Sequence, residues 1–167
     1  MKRYLCVLCI VLMSTVAGFA KVKSGKQAVS ELSRIAKSYS HRSEDVEVVN
    51  VSTQMLRAMV AFAGENSDDK EDMEALRRLN RVLVVDYEAA DESLAAEMNG
   101  KFRKVLDGCE LFMEAKDDGD RVYIYGNYCE EDNTVQDLIV FSPDDGQLVG
   151  IVGKISVDNI DKIGNID

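Results

Sequence analysis

The chain of 167 residues carries 30 acidic and 20 basic residues, a formal net charge of −10 at pH 7, and 46% of its residues are hydrophobic. This length is typical of a single domain that buries a core of its own. The acidic excess argues against a nucleic-acid partner and against binding to an anionic membrane surface, because both need clusters of Lys and Arg.

The first 20 residues have the layout of a secretory signal peptide. Lys2 and Arg3 precede an uncharged and mostly apolar run, and small residues stand three positions and one position before a cleavage point ahead of Lys21. The run is shorter than the about 20 apolar residues that a transmembrane helix needs. We therefore expect a signal peptide over 1–20, its cleavage, export to the periplasm or the medium, and a mature single domain over 21–167 without stable membrane insertion. An uncleaved anchor is the alternative.

Two of the four cysteines lie inside this first segment. A bacterial lipid-attachment cysteine follows a small residue at the end of the apolar run, whereas Cys6 and Cys9 lie early in it and Leu8 precedes Cys9. We therefore expect both to leave with the signal peptide, and lipid anchoring is not expected. The mature chain then has a formal net charge of −12, since the segment carries two basic residues and no acidic one.

Residues 22 to 108 predict helices and strands in alternation. Four segments have apolar residues every three or four positions, which is typical of helices: 22–39, 53–63, 73–79 and the segment from the capping residue Asp91 to Gly108. Two runs rich in Val predict strands, 46–51 and 81–87. Apolar residues cover most of the circumference of the helix over 53–63, so we expect this helix to be buried.

The C-terminal third predicts a β-meander. Short polar connections separate four strand-like segments, 109–116, 121–129, 135–141 and 148–155. Two connections contain Asp-Gly, which favours tight hairpins because Gly accepts a positive φ. Pro143 lies at a strand end, where its missing N–H costs little, and residues 159–163 are consistent with a final helical turn.

These elements together predict an α+β domain. Its antiparallel β-meander sheet has the four C-terminal strands plus one or two of the earlier strands, and two or three amphipathic helices pack on one face. The other face is expected to be open. An open apolar face is typical of an interaction surface.

Three segments carry a resemblance to a known family. They are the hairpin segment 110–122, the strand 148–155 followed by 157–163, and the step from strand to helix at 51–56. In their order they resemble a family of uncharacterised exported bacterial proteins, those with domain of unknown function DUF4252, over residues 46–163. The resemblance implies an exported protein of Gram-negative bacteria with no assigned activity and with no catalytic residues to carry over.

Residue types that common catalytic sites need are scarce. His41, the single histidine, lies in the polar linker 40–45, so neither a nucleophile with a histidine base nor a His-rich metal site is expected. Cys109 and Cys129 lack the Cys-x-x-Cys spacing of redox or metal sites. No Gly-rich phosphate loop with its lysine precedes a helix. We therefore expect no catalytic residues and no cofactor, and an enzymatic activity is not expected.

Acidic residues in two connections form the candidate for a metal site. The meander brings its first and third connections to the same end of the sheet, and these carry five carboxylates, Asp117, Asp118, Asp120, Asp144 and Asp145. Ca²⁺ binds oxygen ligands of this kind. The alternative is that these residues serve the turns, where Asp is common.

Cys109 and Cys129 remain in the mature chain, and an exported chain can join two cysteines in a disulfide. A two-residue connection at 118–119 places Cys109 opposite Tyr128. A three-residue loop instead places Cys109 opposite Cys129, at a distance suited to a disulfide. Both registers remain open.

The aromatic residues Tyr123 and Tyr125 share one face of their strand, with Phe141 on a neighbouring strand. They are suited either to a platform for a sugar or a peptide, or to packing beneath the helices.

Three functions from different classes are compatible with these features. The first is a small non-enzymatic exported binding or interaction module of the bacterial envelope, with an unknown protein or small-molecule partner. The second is a carboxylate-based metal-binding protein or hydrolase that uses the acidic sheet-end loops. The third is an envelope structural or stress protein that acts by β-strand addition at an exposed sheet edge.

Overall fold

The computed structural model describes residues 23–63, 70–117 and 120–157. In these ranges the chain forms four helices and six strands, which are α1 (Gly25–Ser40), β1 (Glu47–Ser52), α2 (Thr53–Ala63), α3 (Lys70–Arg77), β2 (Leu79–Asp86), α4 (Glu92–Leu106), β3 (Leu111–Asp117), β4 (Asp120–Cys129), β5 (Thr134–Ser142) and β6 (Gln147–Ser156). The signal peptide expected over 1–20 and the helical turn expected over 159–163 lie outside the described residues.

These six strands form one antiparallel sheet in the order β1-β2-β6-β5-β4-β3. The consecutive strands β3 to β6 pair as neighbours, which confirms the predicted meander, because short connections permit only antiparallel neighbours. Both earlier strands extend the sheet beyond β6. The sheet is not closed, so β1 and β3 are its edges, and the predicted α+β fold is confirmed.

Helices α1 and α4 pack on one face of the sheet, which we call the inner face. Spacings of three and four residues place one side of each helix against the sheet. The buried residues on these sides include Val29, Leu32 and Ala36 of α1 and Met98, Phe102 and Val105 of α4. They pack against alternate residues of the strands, including Leu83, Val85, Ile139, Phe141 and Leu148.

Two buried tyrosines connect the helices to each other and to the sheet. The Tyr39 hydroxyl donates to Glu97 Oε1 at 2.7 Å, which joins α1 to α4 and lowers the pKa of Glu97. The Tyr87 hydroxyl donates to Asn99 Oδ1 at 2.6 Å, and Asn99 Nδ2 donates to the Pro143 carbonyl at 3.1 Å. Burial raises the pKa of Tyr87, so this hydroxyl remains a donor at physiological pH.

The N-terminus of α1 is fixed to the sheet at Asp137, a residue of β5 that is 7% exposed. The register of β5 against β4 shifts between Tyr125 and Asn127, so Asp137 and Leu138 lie opposite the single residue Gly126 in a β-bulge, and Asp137 has a φ of 57°. Its carboxylate accepts hydrogen bonds from two backbone N–H groups, Lys26 at Oδ2 and Gly153 at Oδ1, both at 3.1 Å. A carboxylate is favoured beside a helix N-terminus, where the helix dipole is positive.

Two glycines allow close packing around Asp137, Gly25 against Asp137 itself and Gly153 against the residue before β2. A Cβ on Gly25 would lie 2.3 Å from the Asp137 Cβ, and a Cβ on Gly153 would lie 2.4 Å from the Arg78 carbonyl oxygen. Gly153 also has a φ of +139°, which side chains rarely adopt. We call Gly25, Lys26, Asp137 and Gly153 the Asp137 junction.

Helices α2 and α3 lie between β1 and β2 in the chain, and α2 contacts both strands whereas α3 contacts β2. Leu56 and Val60 of α2 are buried, but Met55, Met59 and Phe62 are exposed, Phe62 to 83%. The expectation that this helix is buried is therefore wrong. Apolar residues surround the helix, but only one of its sides meets apolar neighbours among the described residues.

Replacing Asp137 tests the Asp137 junction. Asp137→Ala removes both acceptor oxygens at a buried site, so we expect it to lower the free energy of unfolding by about 2–4 kcal/mol. Asp137→Asn keeps one acceptor oxygen and tolerates the left-handed backbone, so we expect roughly half of that loss. Urea denaturation measures both values.

Glu130→Ala is the matched control, because Glu130 is exposed. We expect this control to change the free energy of unfolding by less than about 0.5 kcal/mol. An equal effect of Asp137→Ala and the control would contradict a structural role for the buried carboxylate.

Candidate interaction face

The face of the sheet opposite α1 and α4, which we call the outer face, carries a row of apolar residues across all six described strands. Cross-strand neighbours continue this row from edge to edge in the order Val49, Val84, Val149, Val140, Ile124 and Met113. We call these six residues the outer row. Directly opposed residues on neighbouring strands share a face. With strands about 4.8 Å apart, the outer row is a continuous apolar stripe of about 24 Å.

The outer row is buried in its middle and exposed at both ends. Ile124 is 8% exposed and packs in a small cluster with Leu138 and Ile151, whereas Val49 is 54% exposed and Met113 is 44% exposed. The described helices that pack on β4, β5 and β6 are α1 and α4, and both lie on the inner face. The centre of the outer face is therefore a buried apolar cluster over which no described helix lies.

Strand β3 ends the sheet with an edge that pairs with no other described strand. Leu111, Phe112 and Met113 are all exposed at this edge. The centroid of the Phe112 ring lies 5.9 Å from that of Tyr128 on β4. An edge of this kind offers backbone N–H and C=O groups beside apolar side chains to an additional strand.

The turn between β4 and β5 holds Tyr128 in place. The Tyr128 hydroxyl donates to Asn133 Oδ1 at 3.1 Å, and Asn133 has a φ of 48°. Asp132 accepts hydrogen bonds from Thr134 Oγ1 at 2.6 Å and from Lys154 Nζ at 2.9 Å, and these bonds hold the pKa of its carboxyl well below the usual range. The aromatic pair at the β3 edge is therefore supported by an ordered turn.

The acidic connections of the meander meet at one end of the sheet, as the sequence predicts. The backbone N–H of Arg121 donates to Asp144 Oδ2 at 3.0 Å, which joins the start of β4 to the connection between β5 and β6. Asp145 accepts a hydrogen bond from the hydroxyl of the last residue of β5. These contacts are those of turn residues.

The other three acidic candidates add no described ligand. Asp120 is exposed, whereas Asp118 and the side chain of Asp117 lie outside what the structure describes. Within the described ranges, no group of three or more His, Cys, Asp and Glu residues is placed to hold a metal ion. The calcium site therefore stays a prediction.

Cys109 and Cys129 are free thiols in the structure. From Asp117 to Met113, β3 pairs with β4 in the register that a two-residue connection predicts. Between Met113 and Leu111 this register shifts by one residue, so that Leu111 pairs with Tyr125. Cys109 packs against the inner core, where burial raises the pKa of its thiol, and Cys129 pairs with Thr134 of β5. The observed register is therefore not the one that places the two cysteines opposite each other.

The aromatic residues of β4 face the helices. Tyr123 and Tyr125 are half-buried against the inner core, and the Arg103 guanidinium of α4 lies 5.4 Å from the centroid of the Tyr123 ring. They serve as packing beneath the helices rather than as a platform. His41 directly follows α1 and is exposed, and it belongs to no group of possible metal ligands among the described residues.

Sequence reasoning predicts an open face but not the residues that form it. β2 and β6 are apolar at most positions, so their pattern alone does not say which residues face the helices. The distinction depends on the register of both strands against β1 and β5. That register is a long-range property without a clear local signal.

No described helix is both long and apolar enough to cross a membrane.

Comparison with known proteins identifies a family for this chain. No curated protein matches the chain, and no solved structure matches it. The model of one family, described as domain of unknown function (DUF4252), matches residues 39–163, which is more than half of the chain and includes all six strands. The chain therefore belongs to the DUF4252 family.

Proposed function

We propose that this protein is a small non-enzymatic binding module that is exported to the bacterial envelope and binds a partner protein on the outer face of its sheet. One observation carries the proposal, which is the apolar outer row across six strands with exposed ends at Val49 and Met113. Exposed apolar residues that continue a row across a sheet are typical of an interaction site.

The dimensions of the outer row favour one amphipathic helix of the partner as the occupant. A stripe of about 24 Å matches about 16 residues of helix at 1.5 Å per residue. One row of side chains is too narrow for the about 800 Å² per side of a standard subunit interface. The partner helix would lay its apolar side on the outer row, in the manner of a helix bound in an apolar groove.

Export is supported by the first 20 residues, whose positive start, uncharged apolar run and small residues before Lys21 are typical of a cleaved signal peptide.

A second candidate function, β-strand addition at β3, is favoured by a different observation. The edge of β3 pairs with no other described strand, and Leu111, Phe112 and Met113 are exposed beside it. An extended segment of another envelope protein would add a seventh strand there, with main-chain hydrogen bonds providing affinity.

A photo-crosslinking amino acid at position 84 tests the outer face. In cells that export the protein, we expect an adduct with one partner protein, because Val84 lies within the outer row. Adding Val49→Lys should abolish the adduct while changing the free energy of unfolding by less than about 1 kcal/mol, since Val49 is exposed. Mass spectrometry of the adduct identifies what is bound.

The same amino acid at position 27 is the control, because Gln27 is exposed on α1. Three results would contradict a partner on the outer face: equal adducts from both positions, an adduct with a second copy of this chain, or an internal link from position 84 to residues 158–167.

The intact mass of the exported protein tests whether the first 20 residues are cleaved and whether Cys109 and Cys129 form a disulfide. We expect a chain that begins at Lys21, without a lipid-sized addition, because cleavage removes Cys6 and Cys9. Reductant should leave this mass unchanged, since the register of β3 on β4 does not place Cys109 opposite Cys129. A chain that begins at Met1 would contradict cleavage, and a gain of two hydrogens on reduction would contradict free thiols.

Proline in β3 tests strand addition. Successive N–H groups of a strand point to opposite sides, so one of the variants Glu114→Pro and Ala115→Pro removes an N–H from the free edge and the other removes one bonded to β4. If a partner adds a strand, the first kind of variant should lose the partner and keep a near-normal melting temperature. Retention of the partner by both folded variants would exclude this candidate.

A further inference from the structure

A polar cavity of about 520 Å³ lies on the inner side of the sheet, between α1 and the adjoining ends of β1, β2 and β6. Its lining includes Lys26, Ser30 and Lys37 of α1, Asn50 of β1, Arg81 of β2 and Val152 of β6. The cavity is separate from the outer row, which lies on the opposite face. Its volume is within the range of small-molecule sites.

Helix α1 contributes to this cavity through a polar stripe of its own. Lys26, Ser30, Ser33 and Lys37 follow one another at spacings of four, three and four residues, so they lie along one side of the helix. This stripe extends over about 16 Å, from the Asp137 junction toward the end of α1. The helix therefore places a cation at each end of the cavity and hydroxyl groups between them.

Arg81 is held at the cavity by neutral groups. Its Nε donates to Asn50 Oδ1 at 2.9 Å, its Nη1 donates to Ser30 Oγ at 3.2 Å, and its Nη2 donates to Ser33 Oγ at 3.1 Å. Asn50 Nδ2 also donates to Ser33 Oγ at 3.0 Å, which fixes the relative positions of β1 and α1. A guanidinium carries five N–H groups, so two of them have no partner among the described residues.

The three cations of the cavity take part in no described ion pair. The ion pairs within the described ranges are Lys23–Glu31, Arg78–Glu74, Lys101–Glu97 and Lys154–Asp132. The carboxylate of Asp137 lies near Lys26, but it accepts the backbone N–H groups of Lys26 and Gly153 and is not part of the cavity lining. Positive charge is thus concentrated at one cavity of a chain whose formal net charge is −10.

We propose that this cavity binds the phosphate group of a small phosphorylated molecule. A fixed guanidinium with free N–H groups matches two phosphate oxygens, and ammonium groups on either side act as point charges. Three cations match a phosphate monoester, which carries a charge of about −1.5 to −2 at pH 7, better than a single carboxylate. The hydroxyl and amide groups of the lining, and the volume beyond the phosphate, suit a polar organic remainder.

Calorimetry with glycerol phosphate, inorganic phosphate and acetate tests the class of ligand. We expect saturable binding at one site for the two phosphates, with glycerol phosphate binding more tightly because it also reaches the polar lining. Acetate should bind at least about tenfold more weakly, and added salt should weaken all binding. Absence of saturable phosphate binding below about 10 mM, or acetate binding as tightly as phosphate, would overturn the proposal.

Two charge-matched double variants test the location. Lys26→Gln with Lys37→Gln removes two cations from the cavity, and both side chains are exposed, so the fold should be retained. We expect this pair to lower the affinity for glycerol phosphate at least about tenfold. The control, Lys104→Gln with Lys116→Gln, removes the same charge at exposed positions outside the cavity lining and should have less than a twofold effect. An equal loss in both pairs would show nonspecific attraction and overturn the site.

Amide chemical shifts give a second readout that does not depend on a substitution. Glycerol phosphate should shift the amide signals of Ser30, Asn50 and Arg81 and leave those of the β3 edge, such as Met113, unchanged. Shifts confined to other parts of the chain would place the anion elsewhere and contradict the proposal. Since the outer row is not involved, this result is independent of whether a partner protein binds there.

Discussion

The hydrogen bonds of the Asp137 carboxylate fix the N-terminus of α1 to the sheet, and the rest of the structure depends on that position. The carboxylate joins Lys26 at the start of α1 to Gly153 in β6 through two backbone N–H groups. From this point α1 crosses β6, where Gly150 leaves room for Val29, and reaches β1, where Ser33 contacts Asn50. One buried charge, satisfied by two donors, thus sets the direction of the helix that covers the inner face.

Two surfaces with different chemistry follow from this placement of α1. The apolar side of α1, together with α4, forms the core on the inner face and leaves the apolar outer row without a helix of the described chain above its centre. The polar stripe of α1 meets Arg81 and Asn50. The groups that accept hydrogen bonds from Arg81 there are hydroxyl and amide oxygens rather than carboxylates. The first surface suits an apolar partner, and the second suits an anion.

Local patterns predict the elements of this fold well because their causes are local. Asp91 caps α4 through a hydrogen bond from the Leu94 N–H at 2.9 Å, as its position before an apolar stripe predicts. The Asp-Gly connections and the short loops similarly predict the meander from β3 to β6. The pairing of β2 with β6 has no comparable local signal, since both strands are apolar and distant in the chain.

The contacts that position the candidate sites join residues distant in the chain, and for that reason the sequence does not predict them. Asp137 has the appearance of an ordinary polar residue in a strand, and only the approach of α1 explains a buried carboxylate there. Arg81 similarly appears as the polar start of a strand, whereas its three acceptors come from α1 and β1. Helix α2 shows the opposite error, in which burial is predicted but not observed. Met55 and Phe62 are exposed, because apolar composition alone does not establish burial.

The central claim is that the two faces of the sheet differ in exposure in the mature chain. Methyl NMR of residues 21–167 with a water-soluble paramagnetic probe tests this claim most directly. We expect strong broadening of the methyl signals of Val49, Val84 and Met113 on the outer row and no broadening of those of Leu83 and Val85 on the inner face. Protection of Val49 and Val84 to the same degree as Leu83 would show that the chain itself covers the outer face, and would contradict the account.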